Sequence, residues 1–530
     1  MIDTVIRSAL KFVYNISNQV QTQFQTLNMS SSSFIWREDN GVSVFVPLYT
    51  PSKKNEEKLI TLSEFNKHCE KNDCWFAIHG RVYDATNFVS RHPGGWLPMK
   101  AYAGKGDASD AFEAFHPARV HNTLLPSMFM GHLVSDSNEP LTLEETKMNV
   151  SESKQVETDK EQLDIAMSLV RQEMLKRNMY ETSSSFYAKL FLWFSFLFVS
   201  AIMLTLSKDY WYLGAMVMGI FWQQVAFVGH DVGHNAISHQ RQQDFFWGAF
   251  IGNALMGISL GWWKQSHNVH HVVCNSVEHD PDIQHLPFFA VSENIFKPGG
   301  FESSYHKKRF NMDFFARFLV SIQHILFYPV MGVARINLYV QSWITLLLKP
   351  HGRLQYQFIE MASLLVFFTW VGFLVSNLET TQEKILWLVI SHVTSGILHV
   401  QICLSHFPMD IHRESDSKRE KGWFSLQLQT SMNVDTPTYL DWFHGGLQFQ
   451  IEHHMFPRLP RHRLRECRTM VREALENLSL LDRYHEHTFF KGNLVLLKSM
   501  RKAAVEASKL TKGDAGFYVS PLFNGLNLEG

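Results

Sequence analysis

Three groups of histidines recur at spacings that suit a metal ion: His230-Asp231-Val232-Gly233-His234, His267-Asn268-Val269-His270-His271, and Gln450-Ile451-Glu452-His453-His454. On a helix, residues i and i+4 share a face, so His230 and His234 can aim at one centre. His267 can do the same with His270 or His271. Imidazole binds iron, zinc, copper and nickel, so ligand type alone leaves the metal open. Ligand number narrows the choice, because seven histidines exceed what one tetrahedral zinc can use. Two metal ions with about three or four imidazoles each are the economical reading. A lone histidine near a membrane is more often an interfacial hydrogen-bonding residue, but that account does not cover three multi-histidine groups beside apolar segments.

A second kind of site is suggested nearer the N-terminus. Arg91-His92-Pro93-Gly94-Gly95 is followed, 24 positions after His92, by His116 in Ala114-Phe115-His116-Pro117. Two histidines can bind a haem iron axially from opposite faces. Pro93 and the two glycines turn the backbone sharply and let it approach a flat ring closely.

The elements that must position these residues fall into three parts. The chain has 530 residues, which implies more than one domain. Lys+Arg 49 against Asp+Glu 50 leaves no global field for nucleic acid, and no nucleic-acid partner is expected. Charged residues are only 19% and aromatics 13%, a balance leaning towards membrane, while a slightly negative mean hydropathy requires large soluble parts. Cys69, Cys74, Cys274, Cys403 and Cys467 form no CxxC pair and read as free thiols.

Residues 1–57 read as an N-terminal extension without a signal peptide, in which Met29 is an alternative start and Val5, Leu10, Phe12 and Val13 a short amphipathic stretch. Residues 58–134 read as a small α+β domain, with strands at Cys74–Ile78 and Arg81–Asp84 around a tight His79-Gly80 turn. Residues 135–181 are polar and form a linker. Leu163, Ile165, Ala166, Leu169, Val170 and Leu175 recur there at helical spacing, predicting an amphipathic helix that packs on the next domain. A membrane domain follows over 182–500, with a tail over 501–530. Four segments are long and apolar enough to span, as two hairpins: Phe186–Leu206 with Trp211–Val228, and Phe358–Ser376 with Ile385–Leu404. The stretches Phe245–Trp263 and Phe314–Leu348 are interrupted by polar residues and read as interfacial or cavity-lining helices.

Charge sets the orientation. Lys307, Lys308, Arg309, Lys349 and Arg353 lie between the hairpins, and Arg458, Arg461, Arg463 and Arg465 follow the second. The turns within the hairpins are nearly free of basic residues, so both termini, the central loop and the histidine groups face the cytosol. The fold class expected is thus multidomain: a small α+β haem domain, then an α-helical integral membrane domain of about four spans under a cytosolic cap with two metals.

In this order and setting, HxxxH, HxxHH and QxxHH resemble the three histidine boxes of the membrane fatty-acyl desaturases, in which they hold a di-iron centre that activates O2. Gln450 in place of the first histidine of the third box resembles the front-end branch. The resemblance implies two non-haem irons held by His230, His234, His267, His270, His271, His453 and His454. It adds a further ligand after the last span, best matched by His406, with His399 nearer mid-span. Gln450 either ligates or hydrogen-bonds. His279, His285 and His444 are expected to line the site or support ligands, Asp280 and Asp282 to fix a loop, and Trp262, Trp263, Trp442 and Phe443 are candidates for a chain-binding channel.

The arrangement around His92 and His116, with Asp73-Cys74-Trp75, Val82-Tyr83-Asp84 and Asp110-Ala111-Phe112, resembles cytochrome b5 over nearly all of 58–134. It implies a bis-histidine haem b, with His68, His79 and His121 as surface residues. Desaturation consumes two external electrons per double bond, and a tether raises the local donor concentration towards the mM range. A separate cytochrome b5 reductase using NAD(P)H is the implied partner, since no GxGxxG follows a strand here. Gly257–Lys264, Glu278–His285, Asp441–Phe449 and Arg458–His462 look most like delta-8 sphingolipid desaturases of plants and fungi. Plant delta-6 acyl-lipid desaturases share much of this. The expected substrate is therefore a ceramide or long-chain base, or alternatively an acyl lipid, in the endoplasmic reticulum membrane. A hydroxylase on the same centre and a haem-bearing membrane electron carrier are the competing readings.

Overall fold

The computed structural model describes residues 34–39, 42–47, 58–134, 136, 153–296, 300–348, 354–414 and 422–509. The amphipathic stretch before Met29 and Met29 itself lie outside these residues, as do Lys349, Arg353 and linker residues 137–152. Within the N-terminal extension, β1 (Phe34–Asp39) and β2 (Val42–Pro47) pair as an antiparallel hairpin.

The next domain is built on a five-stranded sheet of β3 (Leu59–Thr61), β4 (Cys69–Glu70), β5 (Asp73–Ile78), β6 (Arg81–Asp84) and β7 (Phe129–Val134), in the order β3-β7-β6-β5-β4. The two-residue turn between β5 and β6 has His79 at φ 51° and Gly80 at φ 69°. Positive φ at both positions matches the right-handed twist of the paired strands. Alternate residues of β5 and β6 pack inwards, Trp75, Ala77 and Val82 onto Phe65 and Ile60. Helix α1 (Trp96–Lys100) follows the His92 loop, and α2 (Ser109–Phe115) ends at His116, its C-cap. His68, expected at the surface, instead stacks on Trp75 with ring centroids 3.4 Å apart.

The linker ends in α3 (Ser153–Lys176). Its buried stripe is Leu163, Met167, Val170 and Met174, packed with Trp423, Phe424 and Leu464. Each such side chain contributes about 1.5–3 kcal/mol when fully buried. The predicted packing helix is present, but its face is corrected: Ile165, Leu169 and Leu175 are exposed, and two methionines take their place.

Among the described residues, four helices are long and apolar enough to cross a membrane: α4 (Ser184–Thr205), α5 (Trp211–Gly233), α11 (Leu354–Ser376) and the segment Thr381–Leu404, formed by α12 (Thr381–Ser395) and α13 (Ile397–Leu404). The two short hairpin turns lie side by side, with Lys208 Nζ 2.6 Å from Glu379 Oε1. The histidine-bearing ends therefore gather at the opposite side. Between the hairpins, α6 (Arg241–Gly248) runs through a π-helical turn and bends by 108° into α7 (Leu260–Val272), and α8 (Phe314–Ser321) bends by 96° into α9 (Gln323–Val333), before α10 (Arg335–Leu348). These bent pairs cover the two stretches read as interfacial or cavity-lining helices.

The break before α7 is held by complementary charges. Arg335 is buried over the Trp222 ring and donates to the Met256 carbonyl at 2.6 Å, at the end of the π-helical turn. Glu360 accepts from Ser259 Oγ at 2.5 Å and from the Gly261 N–H at 3.1 Å, at the start of α7. A cation at a helix C-terminus and an anion at an N-terminus each complement the helix dipole. Gly257 at the corner has φ 75°, and a Cβ there would meet the Phe367 ring at 2.4 Å.

The cap is completed by α14 (Trp423–Thr430), α15 (Gln450–Met455), α16 (Leu464–Asn477) and α17 (Phe489–Lys509). The last runs on past the expected domain end at 500, burying Leu496, Met500, Ala503 and Ala507 against Val320 and Phe327. All five cysteines are unpaired.

Candidate metal centres

His230 ends the second span and His234 caps it, their rings 4.7 Å apart. The cap can approach α7 because Gly233 has no side chain; a Cβ there would meet Trp263 at 2.1 Å. His267, His270 and His271 occupy the last turns of α7, and His453 and His454 lie on α15. α15 is fixed from behind. The Ile451 N–H donates to Asn433 Oδ1 at 2.9 Å, and Glu452 accepts from Asn433 at 2.7 Å and Tyr484 at 2.6 Å.

These residues, far apart in sequence, form two adjacent clusters. His230, His234, His267 and His453 offer donor atoms within 4.8 Å of one another, and so do His270, His406, His454 and Cys274. His271 lies between the clusters, its ring 4.7 Å from His234 and 4.0 Å from His454. His406, just after the last span, stands 4.6 Å from both His270 and His454. His399 does not join; its Nδ1 lies 3.0 Å from the Met331 carbonyl.

The ring orientations follow from a surrounding layer of acceptors. Nδ1 of His270 is 2.9 Å from Asp280 Oδ2, Nδ1 of His454 is 3.0 Å from Gln427 Oε1, and Nδ1 of His406 is 3.1 Å from the Thr430 carbonyl. A ring that donates through Nδ1 presents Nε2 as the free lone pair. His267 has Asp282 3.6 Å from its Nδ1, and its Nε2 faces that of His271 at 3.1 Å. The Nε2 atoms of His230, His234, His453 and His454 are buried with no hydrogen-bond partner, as is Oε1 of Gln450. Orphaned buried acceptors of this kind are costly unless a cation satisfies them. The donor set therefore fits two metal ions.

Burial first, and then the neighbouring imidazoles, hold His453 and His454 well below the ordinary histidine range and bring His406 down to about 3. Metals bind the neutral imidazole, so these three rings are held in ligand form. His270 differs, because burial is outweighed there by the Asp280 and Asp282 carboxylates, which raise it to about 9.

Several supporting residues had no sequence signal. Gln427 and Thr430 lie on an unremarkable apolar helix. Asp231, inside the first box, pairs with Arg461 at 3.0 Å and accepts from the Tyr187 hydroxyl at 2.9 Å. Gln223, Gln224 and Gln401, within the spans, donate to the Phe443 and Trp442 carbonyls at 2.9–3.1 Å. Cys274, read only as a free thiol, lies 3.5 Å from His406 Nδ1. Asp280 does fix its loop, accepting the Asn275 N–H at 2.7 Å and the Asp282 N–H at 2.9 Å. His279 bonds Ser304 and Glu414, His285 packs on Phe407, and His444 lies 3.4 Å from Gln401. Trp263 stacks on His267 at 4.4 Å, while Trp442 is half exposed.

In the N-terminal domain His92 and His116 face each other with ring centroids 6.1 Å apart. Nδ1 of His92 is 3.0 Å from the Gly95 carbonyl and Nδ1 of His116 is 2.8 Å from the Phe112 carbonyl, leaving both Nε2 atoms as free donors. Burial lowers His92 and pushes His116 down to about 4. Two neutral imidazoles with their Nδ1 sides tied back fit a bis-histidine haem.

A haem-type domain joined to a bundle of spans carrying two histidine clusters defines a membrane-bound oxidoreductase with its own electron-donor domain. The fatty acid desaturase family profile matches residues 209–485, and that of the cytochrome b5-like haem/steroid binding domain matches 61–134. An acyl-lipid (9-3)-desaturase of Borago officinalis is 36% identical over 458 residues, 86% of this chain and 96% of that protein. A delta(8)-fatty-acid desaturase of Helianthus annuus is 36% identical, covering 86% and 93%. A delta 8-(E)-sphingolipid desaturase of Lachancea kluyveri is 40% identical over 344 residues, 64% of this chain and 59% of that protein. The chain belongs to the fatty acid desaturase family and is a desaturase with a fused cytochrome b5 domain.

Proposed function

We propose that this enzyme carries out O2-dependent front-end desaturation of a long-chain lipid, with delta-8 desaturation of the sphingoid long-chain base as the leading reaction. The observation that carries the reading is the pair of adjacent histidine clusters with inward-facing Nε2 atoms. Two non-haem irons are assigned to His230, His234, His267, His270, His271, His406, His453 and His454, with Gln450 at the rim as ligand or hydrogen-bond acceptor. When bound, the irons supply the activation of O2. The protein holds the chain so that two adjacent methylenes lie at the centre, and the depth of the site from the head group sets which bond is oxidised. Two C–H bonds break and one C=C bond forms. The two electrons released and two more from the haem reduce O2 to two waters, with two protons drawn from solvent.

His92 and His116 are assigned as the axial ligands of haem b, refilled by a cytochrome b5 reductase that draws on NAD(P)H. Basic residues flanking the histidine side support cytosolic termini in the endoplasmic reticulum membrane. The sphingoid substrate is supported by the Lachancea kluyveri relative, and front-end regiochemistry by Gln450 with the fused donor. The acyl-lipid relative from Borago officinalis favours the second reading, a delta-6 or related acyl-lipid desaturase. Expression in yeast, with both fatty-acid and long-chain-base profiles measured, separates the two. A new double bond in the long-chain base is expected. His270→Ala should abolish product and leave the haem spectrum intact, and His92→Ala should abolish haem binding. Hydroxylated lipid as the main product would overturn the desaturase assignment for this chain's own chemistry.

A further inference from the structure

Both haem-ligand loops rest on the helix that carries the second histidine box. Leu97 and Ala101, which follow the His92 loop, pack with Tyr102 and Phe115 against Val269, Val272 and Val273. Phe115 directly precedes His116. Its ring stands perpendicular to that of His271, with centroids 6.2 Å apart, and 5.6 Å from Trp423. One aromatic residue is thus bonded through the chain to a haem-ligand candidate while its ring packs against a histidine between the two metal clusters.

The contact is rimmed by ion pairs. Lys105 of the haem domain lies 3.6 Å from Glu414 of the cap, and Glu113 on α2 pairs with Arg171 on α3. Ala111 and Ala114 of α2 join the same apolar cluster as the α3 stripe, so the linker helix clamps the haem domain from its other side. An apolar centre with a charged rim is the anatomy of a specific docking surface.

We propose that the haem domain works from this docked pose, and that Phe115 is the positioning residue that closes the haem-to-metal path, joined to His116 through the chain and packed by its ring against His271. The inference rests on the assignment of haem and two irons above. In each transfer the ferrous haem loses one electron and the metal centre gains one; two transfers accompany each double bond, and the external reductase restores the haem. A docked donor also removes the search that a freely swinging tether would require at every transfer.

The test uses the full-length, haem-loaded protein. A zero-length carbodiimide should join Lys105 to Glu414, detected as a linked peptide by mass spectrometry. The Lys208–Glu379 pair at 2.6 Å serves as the internal positive control. Control linkage without the Lys105–Glu414 product overturns the docked pose. Separately, the haem is reduced anaerobically and its reoxidation followed at the Soret band after mixing with O2 and lipid. Phe115→Leu should slow this step by about tenfold or more and Phe115→Tyr should retain it. The haem midpoint potential, the haem spectrum and the iron content should stay unchanged in both. Wild-type reoxidation in Phe115→Leu overturns the role of Phe115. Reoxidation that is equally fast in His270→Ala indicts the desaturase reading instead, because the electron then bypasses the metal centre.

Discussion

Nδ1 of His270 lies 2.9 Å from Oδ2 of Asp280, and both residues are almost wholly buried. This carboxylate fixes the tautomer and direction of an assigned iron ligand, and also holds the loop after the second box through the N–H groups of Asn275 and Asp282. Asp280→Asn preserves size but removes the charge that makes His270 a stronger donor. Iron affinity should fall by about 10–100-fold, measured by iron content of purified protein at limiting iron. Full occupancy under those conditions would contradict the role.

Asp231 and Arg461 form a buried ion pair that ties the first box to the segment after the third. Arg461→Met leaves Asp231 buried without its cation, a change that costs about 3–5 kcal/mol. The double variant Asp231→Asn with Arg461→Met removes both charges and should recover most of that loss. Thermal unfolding in detergent checks both. Equal destabilisation in the single and double variants would mean that the pair acts through packing alone.

Gly257 turns the chain from the π-helical turn into α7 with φ 75°. Gly257→Ala meets both the strained backbone, about 1–3 kcal/mol, and the Phe367 ring at 2.4 Å. Adding Phe367→Leu relieves the clash but not the dihedral. The double variant should therefore melt between wild type and Gly257→Ala.

His116 is pushed down to about 4, chiefly by burial, and His92 is lowered for the same reason. A histidine in an unfolded chain titrates near about 6.5. Above that pH both states are neutral and the shift has no effect on stability. Below it the unfolded chain binds a proton that the folded domain refuses, so stability falls with pH down to the folded value. Haem retention should be flat above pH about 6.5 and decline towards about 4. Soret absorbance across that range provides the check, and retention that improved on acidification would contradict the sign.

Much of this site was legible because its chemistry is written in local spacing. His230 and His234 share a helix face by the i, i+4 rule, and His453 and His454 come from one helix that Gln450 begins. The His79-Gly80 turn was legible because few dipeptides accept positive φ twice. The face of α3 was not. Ile165 and Leu169 satisfy the same periodicity as Val170, and only the partner surface selects Met167 and Met174. Gln427 and Thr430 gave no signal, since a hydrogen-bonding residue becomes a support only once its partner is beside it.

Donor types, haem-ligand candidates and the apolar segments that gather the histidines at one side could all be read along the chain. These depend on covalent order and helical pitch. How the histidines divide into two clusters, that His406 and not His399 stands among them, and that Phe115 rests against His271 were set by folding. Those relationships join residues that are remote along the chain, and they are fixed by the packing of whole helices rather than by any local pattern.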